Sequence, residues 1–486
     1  MTKKPLRLAP QPISFGTDGW RGILGVDFTL EKLLPVAIAS SQELNYRKPS
    51  DLRSREIIIG YDRRFLADAM AEAVASAVRG CGLEPLLTDS PVTTPACSWA
   101  VKNHQALGAL VITASHNPPE WLGLKIKSSL GGSVDSDFTK AVEQRLEAGG
   151  ITIPVDGRTN RFECRKEHLN GLKSKFDIPE IIRGLKNVGL NVIIDPMYGS
   201  AAGCISELFC DAPSGLIREI NSHCDPLFGG NPPEPLAKYI SNLINIVKVS
   251  CDSGRPSLGL VFDGDGDRIA AVDENGNYCS TQYLMPLLID HLIGIRNRPG
   301  SIVKTVSGCD QMRLVAENYR REIIELPVGF KYIAHEMITQ EILIGGEESG
   351  GIGFGSHIPE RDALYTSLVL LEAISQGKQL LFQRLDDLQL RFGKIFFDRI
   401  DLVFNTINEK DRLESFLSEN IPDLVNGKRV KQIIKIDGIK FILDKNYWLM
   451  FRFSGTEPLL RVYSQAPSNE DLQSTLNWAT KLVKSL

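Results

Sequence analysis

No stretch of this chain approaches the roughly 18 consecutive apolar residues that a membrane span requires. Its longest apolar runs, such as Leu107–Thr113 (LGALVIT), have the length of strands. The opening segment carries Lys3, Lys4 and Arg7 but no apolar run of the signal-peptide kind. The expectation is a cytoplasmic protein with no membrane partner. The nine cysteines are odd in number and show no CxxC spacing, which favours reduced thiols over a disulfide framework or a zinc site. The seven histidines form no HExxH, so a zinc enzyme is disfavoured. A Walker loop, a GxGxxG turn and a GxSxG elbow are missing too. So is an excess of one charge: 55 basic and 59 acidic residues leave −4, which gives no support to a nucleic-acid partner.

What is present is an ordinary globular mixture, 43% apolar and 23% charged, spread over 486 residues. At about 100–200 residues per domain, that length suggests three or four domains. Short apolar strands alternate with helical segments through most of the chain, an α/β pattern repeated about three times. Strands are expected at Arg55–Gly60, Leu107–Thr113, Val188–Asp195, Leu258–Phe262, Ile269–Asp273, Gly300–Thr305 and Ile342–Gly345, with a helix over Ala67–Arg79. From Lys394 the order changes to strand, helix, strands and a closing helix, a small α+β domain. The expected domains are 1–165, 166–277, 278–393 and 394–486.

Five segments carry possible chemistry. Thr113-Ala-Ser115-His116-Asn117-Pro118-Pro119 follows a buried strand, where ligand sites of open α/β sheets collect. Ser115 there suits a nucleophile or phosphoryl carrier, with His116 beside it; a stiff Ser/Asn turn is the plain alternative. In Asp263-Gly264-Asp265-Gly266-Asp267-Arg268, alternate side chains of an extended stretch project together, so three carboxylates converge and call for a cation. Oxygen-only ligands suit magnesium, calcium or manganese. An EF-hand is rejected, because Arg268 stands where that loop needs glycine and the flanks read as strands. An aspartyl phosphotransferase with Asp263 as nucleophile stays open. Gly345–Gly351 (GGEESGG) offers Glu347 and Ser349 to sugar hydroxyls, or is a flexible turn. Arg452-Phe453-Ser454-Gly455-Thr456-Glu457-Pro458, with Arg461 beyond, combines hydroxyls, glycine and arginines as an anion nest does, or is an exposed strand turn. Phe15–Gly22 (FGTDGWRG) can present Arg21 from a compact loop.

In this order the five segments resemble the α-D-phosphohexomutase superfamily of phosphoglucomutases and phosphomannomutases, over essentially the whole chain. The resemblance implies four domains around a central cleft, three similar α/β domains with mixed sheets and a smaller C-terminal one. It implies a mutase that passes a phosphoryl group between the 1- and 6-positions of a hexose phosphate, through a phosphoserine at Ser115 and glucose 1,6-bisphosphate as intermediate. Glucose 1-phosphate and glucose 6-phosphate are the expected substrates, with mannose phosphates as the alternative and a sugar-phosphate sensor as a distant one. Ser115, Asp263, Asp265 and Asp267 match the Mg²⁺ ligands. Arg268, Glu347, Ser349, Arg361, Arg452, Ser454, Gly455, Thr456 and Arg461 match substrate-binding positions, and Val328-Gly329-Phe330-Lys331 resembles a sugar-orienting loop. Arg21 matches an active-site arginine. His116 and Lys125 match the candidates for proton transfer, because Gly351 replaces the histidine of some relatives and Arg361 stays protonated. A monomer or weak homodimer is expected.

Overall fold

The computed structural model describes residues 12–148, 155–404, 407–453 and 459–485. The first sheet runs Trp20–Ile23, Trp121–Lys127, Gly108–Ile112, Glu56–Tyr61, Glu84–Thr88, Asn160–Phe162 from edge to edge. Its last four strands are parallel, and Trp121–Lys127 returns antiparallel beside Gly108–Ile112. The second sheet sets Ile217–Glu219, Asn191–Asp195 and Ser257–Phe262 in parallel and adds Ile269–Val272 antiparallel, with Tyr278–Cys279 at its edge. The third has Ile323–Leu326, Ser301–Thr305 and Ile342–Gly346 in parallel, then Ile352–Phe354 antiparallel. The strand interiors are near-continuous Ile, Leu and Val because helices cover both faces of these sheets.

One relationship among the three sheets positions the site. Each has a parallel strand followed at once by an antiparallel return strand. The Ser115 loop, the Asp263–Arg268 loop and the Glu347–Gly351 loop are that same turn, used once per sheet. The fourth sheet is wholly antiparallel, Phe396–Val403, Leu459–Ala466, Tyr447–Phe453, Ile439–Asp444, Gln432–Ile434, and the helix Asn469–Ser485 packs on it. Arg452 and Arg461 are direct cross-strand partners there. The residues between their strands, with Ser454, Gly455 and Thr456, lie outside the described residues.

The second and third domains share one continuous apolar core. Helix Ile178–Val188 crosses helix Ala363–Gly377 so closely that a Cβ on Gly184 would sit 2.3 Å from Ser375 Cβ. The strand expected over Val188–Asp195 is shorter than that. Val188 ends the helix, Gly189 caps it at φ 71° with its N–H on Leu185 O, and the strand is Asn191–Asp195. Val-Gly-Leu reads as strand by apolarity, while the glycine in fact serves a left-handed helix stop.

Candidate active site

Ser115 is buried and sits at φ 50°, a left-handed conformation that costs a non-glycine residue about 1–3 kcal/mol. Its Oγ donates to Asp263 Oδ2 at 2.7 Å and lies 3.3 Å from His116 Nδ1. The loops carrying Ser115 and Asp263 touch through backbone: a Cβ on Gly264 would fall 2.5 Å from Ser115 O. Gly266, at φ 69°, turns the aspartate loop back so that Asp263 Oδ1 accepts the N–H groups of Asp267 and Arg268 at 3.0 Å each. Helix Thr94–His104 of the first domain begins against this loop, with Thr94 N on Asp265 O (2.9 Å) and Thr94 Oγ1 on Asp265 Oδ2 (2.6 Å).

The three aspartates are buried, and one oxygen of each lies within 4.8 Å of the others. Burial, and then the neighbouring Asp265 and Asp267, hold the Asp263 carboxyl well above its usual pKa. Burial opposes charge on Asp265 as well, but Lys125 and Thr94 outweigh it and hold that carboxyl low. Asp265 Oδ1 and Asp267 Oδ1 are buried with no hydrogen-bond partner. Two orphaned carboxylate oxygens in a cluster of three buried acids make an oxygen-only donor set, so the residues fit a hard divalent cation such as Mg²⁺.

Lys125 Nζ bridges Asp18 Oδ2 (2.8 Å), Asp265 Oδ2 (2.7 Å) and Asp267 Oδ2 (2.7 Å). Burial disfavours its charge, yet the three carboxylates prevail and raise its pKa above the ordinary lysine value. Lys125 is therefore an ammonium in this arrangement. His116 is the opposite case: burial, Arg268 and Arg21 push it well below the usual histidine pKa, so its ring is neutral. Arg21 donates to Asn117 Oδ1 at 2.7 Å and thus braces the serine loop from the first strand. Arg268 pairs backbone with Gly351, placing the Asp263–Arg268 loop of the second domain against the Glu347–Gly351 loop of the third, and its Nε is buried without a hydrogen-bond partner.

Arg361 faces Asp18 Oδ2 (2.5 Å), Asp267 Oδ2 (2.8 Å), Glu360 Oε1 (3.3 Å) and Glu347 Oε2 (3.5 Å). Burial pushes the Glu347 carboxyl up to about 7, with Arg361 only partly opposing it. Ser349 is half-buried at the tip of the same turn. Gly329 adopts φ 137° just before helix Phe330–Thr339. Lys331 lines a cavity of about 90 Å³ with Phe15–Gly19, Asp18 among them, and Ser133. Arg452 Nε donates to Asp437 Oδ2 (2.9 Å), which also accepts the Val328 N–H, so Asp437 ties the strand Tyr447–Phe453 to the segment just before helix Phe330–Thr339. Glu348 accepts from Ser307 Oγ (2.8 Å) and Tyr463 OH (3.2 Å) and ties the third domain to the fourth.

The structure thus brings Arg21, Ser115, His116, Lys125, the three aspartates, Arg268, Glu347 and Arg361 into one centre. Sequence reasoning missed Asp18, Thr94, Asp62, Arg64 and Glu360. Asp18 stood inside FGTDGWRG, and Asp62 and Arg64 follow the strand Glu56–Tyr61, the position that marks a site at a strand's carboxyl end. Thr94 and Glu360 carry no such signal.

A second group, His168, His357 and Asp362, also lies within 4.8 Å. Asp362 Oδ2 accepts both Nε2–H groups, at 2.9 and 2.8 Å, while Lys175 Nζ faces His357 Nδ1 at 3.3 Å. An ammonium on Nδ1 fixes the Nε2–H tautomer of His357, so Asp362 serves as its acceptor at this seam between the second and third domains.

Among the described residues no helix is long and apolar enough to cross a membrane. Four family models match in chain order, described as phosphoglucomutase/phosphomannomutase alpha/beta/alpha domains I, II and III and C-terminal domain, over residues 12–151, 166–276, 280–392 and 416–477. A phosphoglucomutase/phosphomannomutase of Thermococcus kodakarensis is 26% identical over 473 residues, covering 97% of this chain and 98% of its own. A phosphoglucosamine/phosphogalactosamine mutase of Sulfurisphaera tokodaii is 28% identical, covering 97% and 99%. A solved structure from Thermus thermophilus, provisionally assigned as a phosphomannomutase, superposes with TM-score 0.84 at 30% identity over 98% of this chain and all of that one. With four domains matched in order and a cleft built from their loops, the chain belongs to the phosphoglucomutase/phosphomannomutase family of α-D-phosphohexomutases, isomerases that move a phosphate within a sugar phosphate.

Proposed function

We propose that this phosphohexomutase interconverts glucose 1-phosphate and glucose 6-phosphate, with Ser115 as the phosphoryl carrier. The observation that carries this reading is the hydroxyl of Ser115, buried at the cleft, 2.7 Å from Asp263 in a three-aspartate cluster. A serine elsewhere would have no cation to balance the nearly two negative charges of its phosphate. Asp263, Asp265, Asp267 and a phosphoserine oxygen would hold Mg²⁺, which supplies charge stabilisation to the transferring group when bound.

In the first half-reaction a sugar hydroxyl attacks the phosphorus of phosphoserine. The new sugar O–P bond forms as the Ser115 Oγ–P bond breaks, and the proton lost by the sugar hydroxyl ends on Oγ, so the serine leaves as its neutral hydroxyl. The bound hexose 1,6-bisphosphate turns over, and Ser115 attacks its other phosphate in reverse. Arg268 and Lys125 place fixed positive charge around the transfer. Neutral His116, 3.3 Å from Oγ, is the proton acceptor on the serine side. Glu347 and Ser349 read sugar hydroxyls, while Arg452 and Arg461, opposite each other at the hairpin's end, grip the non-transferring phosphate. Glucose is preferred here because the GEESGG segment followed by HIPERD resembles the glucose branch more than the glucosamine branch. Asp263 as the phosphorylated nucleophile fits less well, because Oδ1 already accepts two backbone N–H groups and Oδ2 accepts from Ser115.

The test is a coupled assay with glucose 1-phosphate, Mg²⁺ and a trace of glucose 1,6-bisphosphate, run on wild type and Ser115→Ala. Mannose 1-phosphate and glucosamine 1-phosphate run in parallel. Turnover on glucose 1-phosphate that the mutant loses is the expected result. A substrate ranking led by mannose or glucosamine phosphate overturns the glucose assignment, and phosphate recovered on Asp263 overturns the carrier.

A further inference from the structure

We propose that Asp62 and Arg64 are positioning residues for the carrier serine, a clamp that grips both peptide groups of Ser115 and holds its Oγ on Asp263. The inference rests on Ser115 as the phosphoryl carrier.

Arg64 is 4% exposed and Asp62 2%, and both follow the strand Glu56–Tyr61. Arg64 Nη2 donates to the carbonyls of Ser115 and Asn117, each at 2.7 Å. Its Nη1 donates to those of Pro118 (2.8 Å) and Trp121 (3.1 Å). One guanidinium therefore gathers four carbonyls from a single turn. That task needs a planar fork of donors, which a lysine ammonium lacks. Asp62 Oδ2 lies 3.2 Å from Arg64 Nε and also accepts the hydroxyl of Thr113 at 2.6 Å. With its proton committed there, Thr113 Oγ1 turns a lone pair to the Ser115 N–H at 2.8 Å. The serine carbonyl is thus held by Arg64 and its N–H by the Asp62–Thr113 relay.

This double grip falls on a residue held in a strained backbone conformation. Ser115 is held at φ 50°, and such a conformation persists only where surrounding structure over-determines it. The guanidinium also lies 4.9 Å from the ring centroid of Phe228, and Arg63 donates to Ser222 O at 2.9 Å, both in the second domain. The clamp therefore stands at the seam with the domain that supplies the aspartates. It keeps the serine loop in register with Asp263 while a phosphoryl group comes and goes on Oγ.

The test follows Ser115 phosphorylation directly. Dephosphorylated wild type, Arg64→Lys and Thr113→Val are mixed with Mg²⁺ and glucose 1,6-bisphosphate, quenched at intervals and weighed by intact-protein mass spectrometry, well below each thermal midpoint. Arg64→Lys is expected to slow phosphorylation and kcat about 100-fold, as a misplacement of about 1 Å does, with KM for the hexose phosphate almost unchanged. Thr113→Val is expected to slow them about tenfold with the same split. A merely structural role would lower the thermal midpoint and leave the rate of the folded fraction alone. If wild type takes no phosphate on Ser115, the carrier reading itself fails. If wild type does and the variants match its rate, the clamp is overturned; should Arg64→Lys not fold, Thr113→Val alone decides.

Discussion

Arg361 of the third domain lies 2.5 Å from Asp18 of the first, and the same nitrogen is 2.8 Å from Asp267 of the second. Three domains thus meet on one buried guanidinium. The charges alternate outward from it: Asp18 also binds Lys125 and Lys127, and Glu360, next to Arg361 in sequence, pairs with Lys127. Burial opposes the Asp18 charge, but Lys125, Lys127 and Arg361 outweigh it and keep the carboxyl well below the usual range.

Arg361→Gln should therefore destabilise the protein by about 3–5 kcal/mol, the usual cost of leaving buried carboxylates without their partner. Urea unfolding of wild type and variant measures it. Mg²⁺ should rescue the variant more than it stabilises wild type, because the ion restores positive charge beside Asp267. Equal stability of the two proteins would show that the pair network is energetically idle.

Glu347 gives a pH prediction. Burial raises its pKa from 4.5 to about 7. The folded state thus binds this proton more tightly than the unfolded chain, so its contribution to stability is full below about pH 4.5 and is lost as pH rises through 7. Its capacity to accept sugar hydroxyls runs the other way and grows as the carboxyl ionises. KM for the hexose phosphate should fall about tenfold between pH 6 and 8, a factor within reach of one hydrogen bond to a charged group. Glu347→Gln should flatten that profile. An inflection that survives in the glutamine variant assigns the titration to another group.

The sequence made much of this centre legible, for a physical reason. Loops that bind phosphate and metal need glycine, hydroxyl and carboxylate at fixed offsets, and those offsets are local. Ser115, the three aspartates and Glu347 were readable because each lies in one short turn. Asp18, Arg64 and Thr94 act across long separations: 51 residues from Arg64 to Ser115, 171 from Thr94 to Asp265 and 343 from Asp18 to Arg361. No local pattern encodes such a contact. The repetition of an α/β pattern about three times was legible, but not that the three site loops are one and the same strand–turn–strand connection, since the sheets keep the topology while their loops differ in sequence. Val188–Leu190 misled because apolar periodicity over three residues cannot separate a helix end from a strand.

Gly264 marks how tightly two of these loops meet. A Cβ there would lie 2.5 Å from Ser115 O and 2.9 Å from Pro233 Cγ. Gly264→Ala must push the serine loop off the aspartate loop or shift both. The expected outcome is a folded protein with kcat lowered about 100-fold and a higher Mg²⁺ requirement, because the donor set is spread. Mass spectrometry and a Mg²⁺ titration of activity check both parts. Wild-type kinetics in this variant would mean that the contact relaxes at no catalytic cost.

Lys440 lies at the junction of the third and fourth domains. It is 1% exposed, donates to Val306 O at 2.7 Å and lies 4.0 Å from the ring centroid of Trp448. Burial, and then the nearby Lys304, push its pKa from 10.5 down to about 7. The unfolded chain therefore binds this proton more tightly than the folded one. Stability contributed by the neutral amine is present above about pH 10.5 and is lost as pH falls toward 7. Between pH 7 and 9 wild type should gain about 1 kcal/mol per pH unit relative to Lys440→Met, whose side chain has no proton to release. Urea titrations of both proteins at pH 7, 8 and 9 read the difference directly, cancelling the other titrating groups. A difference that stays flat over this range means the ammonium survives burial, held by the Val306 carbonyl and the Trp448 face; a rising one makes the junction tighter in alkali.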